Sequence, residues 1–330
     1  MYKLIFIAVF FLTINVFGCT CRVDEDFLET LNRKNKKELI SGEIIGIDNN
    51  LYQIKINTVI KGKLVPNTIL TLENGNGGNC LPVFFESDVG KSYLLILNKS
   101  LNQTKNQYEL TTCGTNMLRM FNSKIKGRIS GGRGQSQEML LSDFLDIYHK
   151  KDSSREFKIF DLTTNETYKL NGVGQRIGNW KIVGYNKLII EKGVYNSDGI
   201  KTGEWIYYLI KQPLINGIRY PNETAIKKIV VYNSGKLIQI LHYFDKNGKA
   251  LYWGTLYDGN GELFEYDDLG KLYGKYSYKN GIREGNAIEY LGDRIIKGKY
   301  KNGKREGVWI TYENDIWIRK EVYLNGIRIK

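Results

Sequence analysis

The segment 298–309, Gly-Lys-Tyr-Lys-Asn-Gly-Lys-Arg-Glu-Gly-Val-Trp, decides the fold of the second half of this chain. Its Asn302-Gly303 pair supplies the two positive φ angles of a tight hairpin turn. The flanking tyrosine and tryptophan favour strands and pack across a hairpin. One hairpin alone is marginally stable, so neighbouring hairpins must bury a shared face. The segment therefore predicts one unit of a β-hairpin array.

Related segments recur along the second half of the chain. The Asn-Gly pairs that begin at 280, 302 and 325 are 22 and 23 residues apart, and looser copies lie at 193–208 and 171–180. The pattern Tyr-x-Asn-Gly-Lys-x-x-Gly-x-Trp resembles the MORN-variant repeats of bacterial proteins, some of them antitoxin-like. The resemblance implies a domain of hairpin repeats over 151–330.

The first 18 residues are typical of a signal peptide, with Lys3 ahead of the apolar stretch Leu4–Val16 and Gly18 before a cleavage point. A membrane anchor is the alternative, but this stretch is shorter than the roughly 20 residues that span a bilayer. We therefore expect a secreted or cell-envelope protein without a membrane span. The Lys, Asn and Ile bias of the chain is typical of a bacterial protein.

The four cysteines are Cys19, Cys21, Cys80 and Cys113. An even number in an exported domain predicts two disulfides, and three pairings are open. A Cys19–Cys21 bridge would be strained. A four-cysteine zinc site is disfavoured because the spacing lacks paired C-x-x-C motifs. Lipidation of Cys19, which would make the protein an envelope lipoprotein, is a further alternative because Cys19 follows the apolar stretch.

The rest of the first domain predicts a small Greek-key barrel. Five runs rich in β-branched and aromatic residues predict strands: Leu39–Ile47, Tyr52–Ile60, Thr68–Leu72, Ser92–Leu97 and Tyr108–Thr112. Two amphipathic segments predict flanking helices: Asp24–Asn35 and Ser136–Lys150. Barrel closure would leave no exposed strand edge. The expected protein is mainly β: a five-stranded barrel with flanking helices, followed by the hairpin array.

Several linked motifs carry a resemblance to the netrin-like (NTR) and tissue-inhibitor-of-metalloproteinase family. They are Cys19-Thr20-Cys21, Ile40-Ser41-Gly42-Glu43-Ile44, Tyr52-Gln53-Ile54-Lys55-Ile56, Val59-Ile60-Lys61-Gly62, Cys80, Gly90-Lys91-Ser92-Tyr93-Leu94-Leu95 and Cys113-Gly114. The resemblance implies an OB-fold domain over 19–150. It also implies disulfides that join Cys19 to Cys80 and Cys21 to Cys113.

In the animal inhibitors of this family, the amine and carbonyl of the first cysteine chelate the zinc of a protease. The resemblance places that role on Cys19 and the adjacent specificity contact on Thr20. A metalloproteinase is therefore one candidate partner. Arg22-Val23 departs from the family's usual Val-Pro at this point.

Nothing in the sequence marks a catalytic, metal or cofactor site of the chain's own. His149 and His242 have no patterned nucleophile, and the acids Glu262, Glu265, Asp267 and Asp268 could only in principle form a glycosidase pair. The net charge of +13 comes from scattered lysines with acids interleaved, which disfavours nucleic-acid binding. The sequence predicts a non-enzymatic binding or scaffold protein whose partner is an unidentified protein, or a glycan or envelope surface.

Overall fold

The computed structural model describes residues 25–33, 37–48, 50–75, 82–99, 108–110, 115–184, 187–211, 214–215, 218–219 and 223–330. The chain is mainly antiparallel β, as the sequence predicts. It divides into two compact units, Met1–Asn122 and Ser123–Lys330. No helix within the described ranges is both long and apolar enough to cross a membrane. The predicted signal peptide, Thr20 and all four cysteines lie outside the described residues.

In its described residues, the first unit has one α-helix, a 3-10 turn at Glu86–Asp88 and six strands. The helix α1 spans Phe27–Asn32, and Asp26 and Glu29 cap its first turn reciprocally. The strands are β1 (Lys37–Asp48), β2 (Leu51–Lys61), β3 (Ile69–Glu73), β4 (Ser92–Lys99), β5 (Tyr108–Glu109) and β6 (Met117–Phe121). The five predicted strands are therefore present, and α1 is shorter than the predicted helix.

The strands of the first unit follow the order β3-β2-β1-β4, and both β5 and β6 pair with β4. The predicted closed barrel is not seen, because no ladder joins β3 to β5 among the described residues. The reason lies in the short β5, whose two residues pair with the end of β4 while β6 takes the rest of that edge. One face of the sheet buries a core that includes Ile40, Ile54, Phe84 and Leu95.

The second unit begins with a nine-stranded sheet. Its strands are β7 (Lys124–Gly127), β8 (Gln137–Leu140), β9 (Phe157–Asp161), β10 (Glu166–Leu170), β11 (Arg176–Val183), β12 (Ile189–Tyr195), β13 (Lys201–Lys211), β16 (Glu223–Asn233) and β17 (Lys236–Tyr243). They pair in chain order. A small hairpin of β14 (Leu214–Ile215) and β15 (Ile218–Arg219) lies between β13 and β16.

A seven-stranded meander follows in the same unit. Its strands are β18 (Gly261–Tyr266), β19 (Leu272–Lys279), β20 (Ile282–Leu291), β21 (Arg294–Lys301), β22 (Lys304–Glu313), β23 (Ile316–Leu324) and β24 (Ile327–Arg328). Three of its turns carry the predicted Asn-Gly pairs. Asn302 and Gly303, for example, have φ angles of 50° and 77°. These are the positive angles that a two-residue hairpin turn requires.

The predicted helix Ser136–Lys150 is wrong in its first part. Residues Gln137–Leu140 form strand β8, and the helix α2 spans only Leu141–His149. The strand forms because Gln137–Leu140 pairs with β7 across a full ladder. Met139 therefore packs as a strand residue, while Phe144 and Ile147 form the buried face of α2.

Two tryptophan rings each cover a glycine on the neighbouring strand. A Cβ atom added to Gly193 would lie 2.3 Å from the ring of Trp205, and one added to Gly298 would lie 2.2 Å from the ring of Trp309. Both rings are buried, with relative exposures of 0% and 1%. Only glycine leaves room for such an approach, so the two strands and the ring form one packed unit.

A common local motif positions these rings. A cation is followed two residues later by a glycine with positive φ and four residues later by the ring, as in Arg305, Gly307 (φ 65°) and Trp309. The Arg305 guanidinium lies 4.1 Å from the Trp309 ring centroid. We name these five-residue segments cation-glycine-ring motifs; they are 176–180, 201–205, 283–287 and 305–309, and Ala287 replaces the ring in the third.

Gly298→Ala tests this packing. We expect the substitution to lower the free energy of unfolding by about 1–3 kcal/mol, because the added methyl group overlaps the indole. In a Trp309→Ala background, which has the residue found at position 287, the same substitution should cost almost nothing. Urea denaturation of the four proteins in this double-mutant cycle measures the coupling. Equal costs in both backgrounds would contradict the proposed contact.

Candidate functional site

The candidate residues from the sequence fall into two groups. Cys19, Thr20, Cys21, Cys80 and Cys113 lie outside the described residues. The structure therefore gives no geometry for the predicted disulfides, for lipidation or for chelation of a partner's zinc. The histidines and acids of the second unit, by contrast, are all described.

Within the described part of the chain, the two histidines make ring contacts and form no hydrogen bond or ion pair with these acids. His149 ends α2 beside Tyr148, and His242 in β17 stacks on Phe244 with ring centroids 5.9 Å apart. Of the acids, Asp267 accepts hydrogen bonds from the backbone of its own turn, and Asp268 pairs with Lys227 at 2.7 Å. Within the described ranges, no three His, Cys, Asp or Glu side chains are placed to hold a metal ion.

Glu265 is the most enclosed of these acids, with a relative exposure of 7%. Its carboxylate accepts hydrogen bonds from the Lys228 ammonium at 3.1 Å and from the hydroxyls of Tyr243 and Tyr273, both at 3.2 Å. Three donors thus satisfy this buried carboxylate. Its role in the fold is to hold the first sheet and the meander of the second unit together through Lys228 and Tyr243.

A similar polar group surrounds Lys201 on the ring-bearing face of the first sheet. Its ammonium lies 3.9 Å from the Trp205 ring centroid and donates to Glu191 at 2.8 Å and to the Tyr207 hydroxyl at 3.0 Å. The Tyr207 and Tyr232 hydroxyls are 3.1 Å apart. Burial lowers the pKa of Lys201 and raises the pKa of both tyrosines. These side chains are half-buried and pair with one another, so this part of the ring-bearing face is packed.

The opposite face of the same sheet carries a groove of about 610 Å³ that crosses β10 to β13. Its lining residues are Glu166, Thr167, Tyr168, Asn179, Trp180, Lys181, Lys192, Gly193, Val194, Glu204 and Ile206. Trp205 does not line the groove, although both its neighbours in β13 do. Since successive strand residues point to opposite faces, the groove and the Trp205 ring lie on opposite faces of the sheet.

Four polar side chains of the groove are Thr167, Asn179, Lys192 and Glu204. None of them makes a hydrogen bond or ion pair with another residue that the structure describes. Among the described residues, the Lys192 ammonium lies over the ring of Tyr208, 5.8 Å from its centroid. Unpartnered donors and acceptors around an apolar floor are typical of a ligand site.

The sequence alone does not reveal this groove. Its residues come from four strands, and the register between the strands decides which of them meet. The one local signal is Gly178-Asn179-Trp180, which belongs to a degenerate repeat copy. No pattern in the sequence distinguishes Lys181 or Lys192 from the other scattered lysines.

Tyrosine burial predicts a loss of stability at alkaline pH. Burial raises the pKa of Tyr168 and Tyr243, and it raises the pKa of Tyr276 to about 12. These raised values stabilise the folded chain below pH 10, and that stability is lost as the unfolded chain ionises above it. The loss of unfolding free energy should approach roughly 1.4 kcal/mol per pH unit for each such tyrosine. The lowered pKa of Lys201 has the opposite effect on stability and offsets part of this loss.

Parallel records of tyrosinate absorbance and near-ultraviolet circular dichroism against pH measure this effect. We expect the part of the absorbance change that belongs to the buried tyrosines to accompany the loss of the dichroism signal in one cooperative step. Tyr276→Phe should make the pH dependence of unfolding shallower. Smooth ionisation of all tyrosines near pH 10 with an unchanged dichroism signal would contradict the described burial.

The described residues thus combine a filled, ring-bearing face with an open groove on the other side of the same sheet. Comparison with protein-family models and with curated proteins gives no match to this chain. The geometry of the groove is therefore the strongest functional observation, and it suits reversible binding of a ligand that has both apolar and charged parts.

Proposed function

We propose that this chain is an exported, non-catalytic binding protein and that the groove across β10 to β13 is its binding site. The observation that carries the proposal is the set of unpartnered side chains in the groove, Asn179, Lys192 and Glu204 above all. Asn179 and Glu204 face water and Lys192 is half-buried, so a ligand in the groove can exchange that water for direct hydrogen bonds and ion pairs without breaking any contact within the chain.

The finer architecture belongs to the same proposal. We assign residues 19–150 to an NTR-like, OB-type interaction module and residues 151–330 to MORN-variant hairpin repeats. The strand pairing β1-β2-β3 together with β1-β4-β5 supports the first assignment. The Asn-Gly turns and the four cation-glycine-ring motifs support the second. Export, the two disulfides and the inhibitor role of Cys19 and Thr20 rest on the sequence alone.

Binding is favoured over hydrolysis because three of the four acids considered for a glycosidase pair, all except Glu262, are engaged in other contacts. Glu265 is held by three donors, and Asp267 and Asp268 have turn and lysine partners. A stacked glycan is also disfavoured at the groove. Trp180 is 1% exposed and Tyr168 is 4% exposed, so neither ring offers a free face to a sugar.

Asn179→Trp tests the groove as the binding site. The purified chain is first used to select ligands from a random peptide library displayed on phage. We expect the indole to fill the groove and to weaken the selected peptides by about tenfold or more, as fluorescence polarisation would measure. Asn179 is exposed and its side chain has no partner among the described residues, so the fold should tolerate the change.

Asn286→Trp is the matched control. Asn286 holds the same place in the motif 283–287 that Asn179 holds in the motif 176–180, and it is likewise exposed. The control should bind the selected peptides as the unmodified chain does. The proposal fails if no ligand is selected, or if the selected ligands bind Asn179→Trp as tightly as the control.

A further inference from the structure

One face of the meander carries a row in which basic and apolar side chains alternate. The strand register places one residue of each strand directly opposite the next, from β18 to β23. In strand order these residues are Phe264, Lys275, Ile288, Lys297, Ile310 and Lys320. Residues paired across a ladder share a face of the sheet. Ile310 follows Trp309 directly, so this lysine row lies on the face opposite the Trp309 ring.

The lysines of the row have no acidic partner within the described part of the chain. The Lys275 ammonium lies 4.9 Å from the Phe264 ring centroid, and the Lys297 ammonium lies 5.1 Å from the Tyr312 ring centroid. Because an apolar residue stands between successive lysines, the lysines occupy every second strand and are roughly 10 Å apart, twice the strand spacing. The row therefore presents regularly spaced and uncompensated positive charge.

A second row of side chains runs beside the lysine row on the same face. Its residues pair in register across β20 to β23, and they are Tyr290, Ile295, Tyr312 and Trp317. The residues at 290, 295 and 312 are each two positions from a member of the lysine row in the same strand, so they share its face. Trp317 has a relative exposure of 65%. We name this set the aromatic row.

The fold does not require the alternation of lysine and apolar residues. The equivalent row of the first sheet passes through the residue just before Gly193. In that row Ile229 stands where the meander has Lys320, and Lys181 stands where the meander has Ile288. Lysines on edge strands commonly prevent edge-to-edge pairing, but β19 and β21 are interior strands. The regular charge is therefore a property of this surface and not of the hairpin array.

A linear polymer with an anionic group on every second unit fits the lysine row. One sugar unit of an extended, β-linked polysaccharide is about as long as the spacing of neighbouring strands, roughly 5 Å. An acidic polysaccharide with carboxylates on alternate sugars therefore presents its charges at the spacing of the lysines. Its uncharged sugars then lie over the apolar residues of the row. Sugar rings also stack on exposed aromatic side chains, and Trp317 offers such a ring.

Other anionic partners fit this face less well. Same-side residues of an extended peptide are about 7 Å apart, which does not match the spacing of the lysines. A bilayer surface is held by apolar side chains that enter it by about 5–10 Å. Among the apolar members of the two rows only Trp317 is exposed, and the others are half-buried. Spacing and exposure thus favour a single polysaccharide chain over a peptide or a membrane.

We propose that this face of the meander binds an acidic polysaccharide. Its carboxylates pair with Lys275, Lys297 and Lys320, and one of its sugar rings stacks on Trp317. The inference goes beyond the proposed function, because it concerns a different set of strands from the groove across β10 to β13.

Hyaluronan oligosaccharides, which carry a carboxylate on every second sugar, test this surface on the full chain. In fluorescence polarisation, a labelled oligosaccharide long enough to cross the meander should bind, and a neutral chitin oligosaccharide of the same length should not. Replacing all lysines of the row with glutamine should weaken hyaluronan binding by about tenfold or more, because each loses an ion pair. Lys297→Gln alone, at an exposed position, should give a smaller loss, and Trp317→Ala should weaken binding several-fold.

The matched control replaces lysines at the Asn-Gly turns of the same meander with glutamine. These lysines are exposed, and they are Lys279, Lys301 and Lys304. The control variant loses the same charge as the row variant, so it should bind hyaluronan as the unmodified chain does if the row is the site. Asn179→Trp should also leave hyaluronan binding unchanged, because Asn179 belongs to the groove.

The inference is overturned if hyaluronan does not bind, or if the row variant and the control variant lose equal affinity. It is also overturned if phosphatidylglycerol vesicles or poly-aspartate bind through the lysine row as tightly as hyaluronan, since the row would then serve a membrane or an acidic protein. None of these results touches the groove. Display-selected peptides that are blocked by Asn179→Trp would still support the proposed function.

Discussion

The close approach of a tryptophan ring to a glycine on the neighbouring strand is the contact on which the second unit depends. Trp205 over Gly193 and Trp309 over Gly298 leave no room for a Cβ atom. A cation lies over each ring, and a positive-φ glycine between the cation and the ring stands at a register shift between the two strands. Burial of two large rings in this way supplies much of the core that isolated hairpins lack.

The same motif also joins each hairpin to the next. The Gly326 amide donates to the Arg305 carbonyl at 2.9 Å, and the Asn325 amide donates to the Glu306 carboxylate at 2.8 Å. The preceding turn repeats both bonds. The tryptophan rings and the cations over them lie on one face of the sheet, and the turn hydrogen bonds lie at one end of the hairpins. The side chains on the opposite face of the sheet take no part in these contacts. Among the groove residues, Asn179, Lys181, Lys192 and Glu204 have their side chains on that face.

Local signals explain which parts of the fold can be predicted. Asn302-Gly303 fixes its turn through its own backbone angles, and the strand runs of the first unit stand between clear turn residues. The sequence predicts Gln137–Leu140 as helix because its apolar spacing suits either structure, and only pairing with β7 decides between them. Barrel closure depends on long-range pairing of β5. The groove also depends on long-range pairing. Lys181 lies opposite Lys192 only because of the register between β11 and β12, which no local signal in the sequence specifies.

Hydrogen–deuterium exchange of the full chain, with and without a display-selected peptide, tests the central claim most directly. A selected peptide bound in the groove should protect backbone amides at 166–168, 179–181, 192–194 and 204–206, because it covers those strands and suppresses their local opening. The equivalent segments around Gly298 should exchange as before. Protection confined to the first unit or to the meander would contradict the claim that this face of the first sheet is where the protein binds its partner.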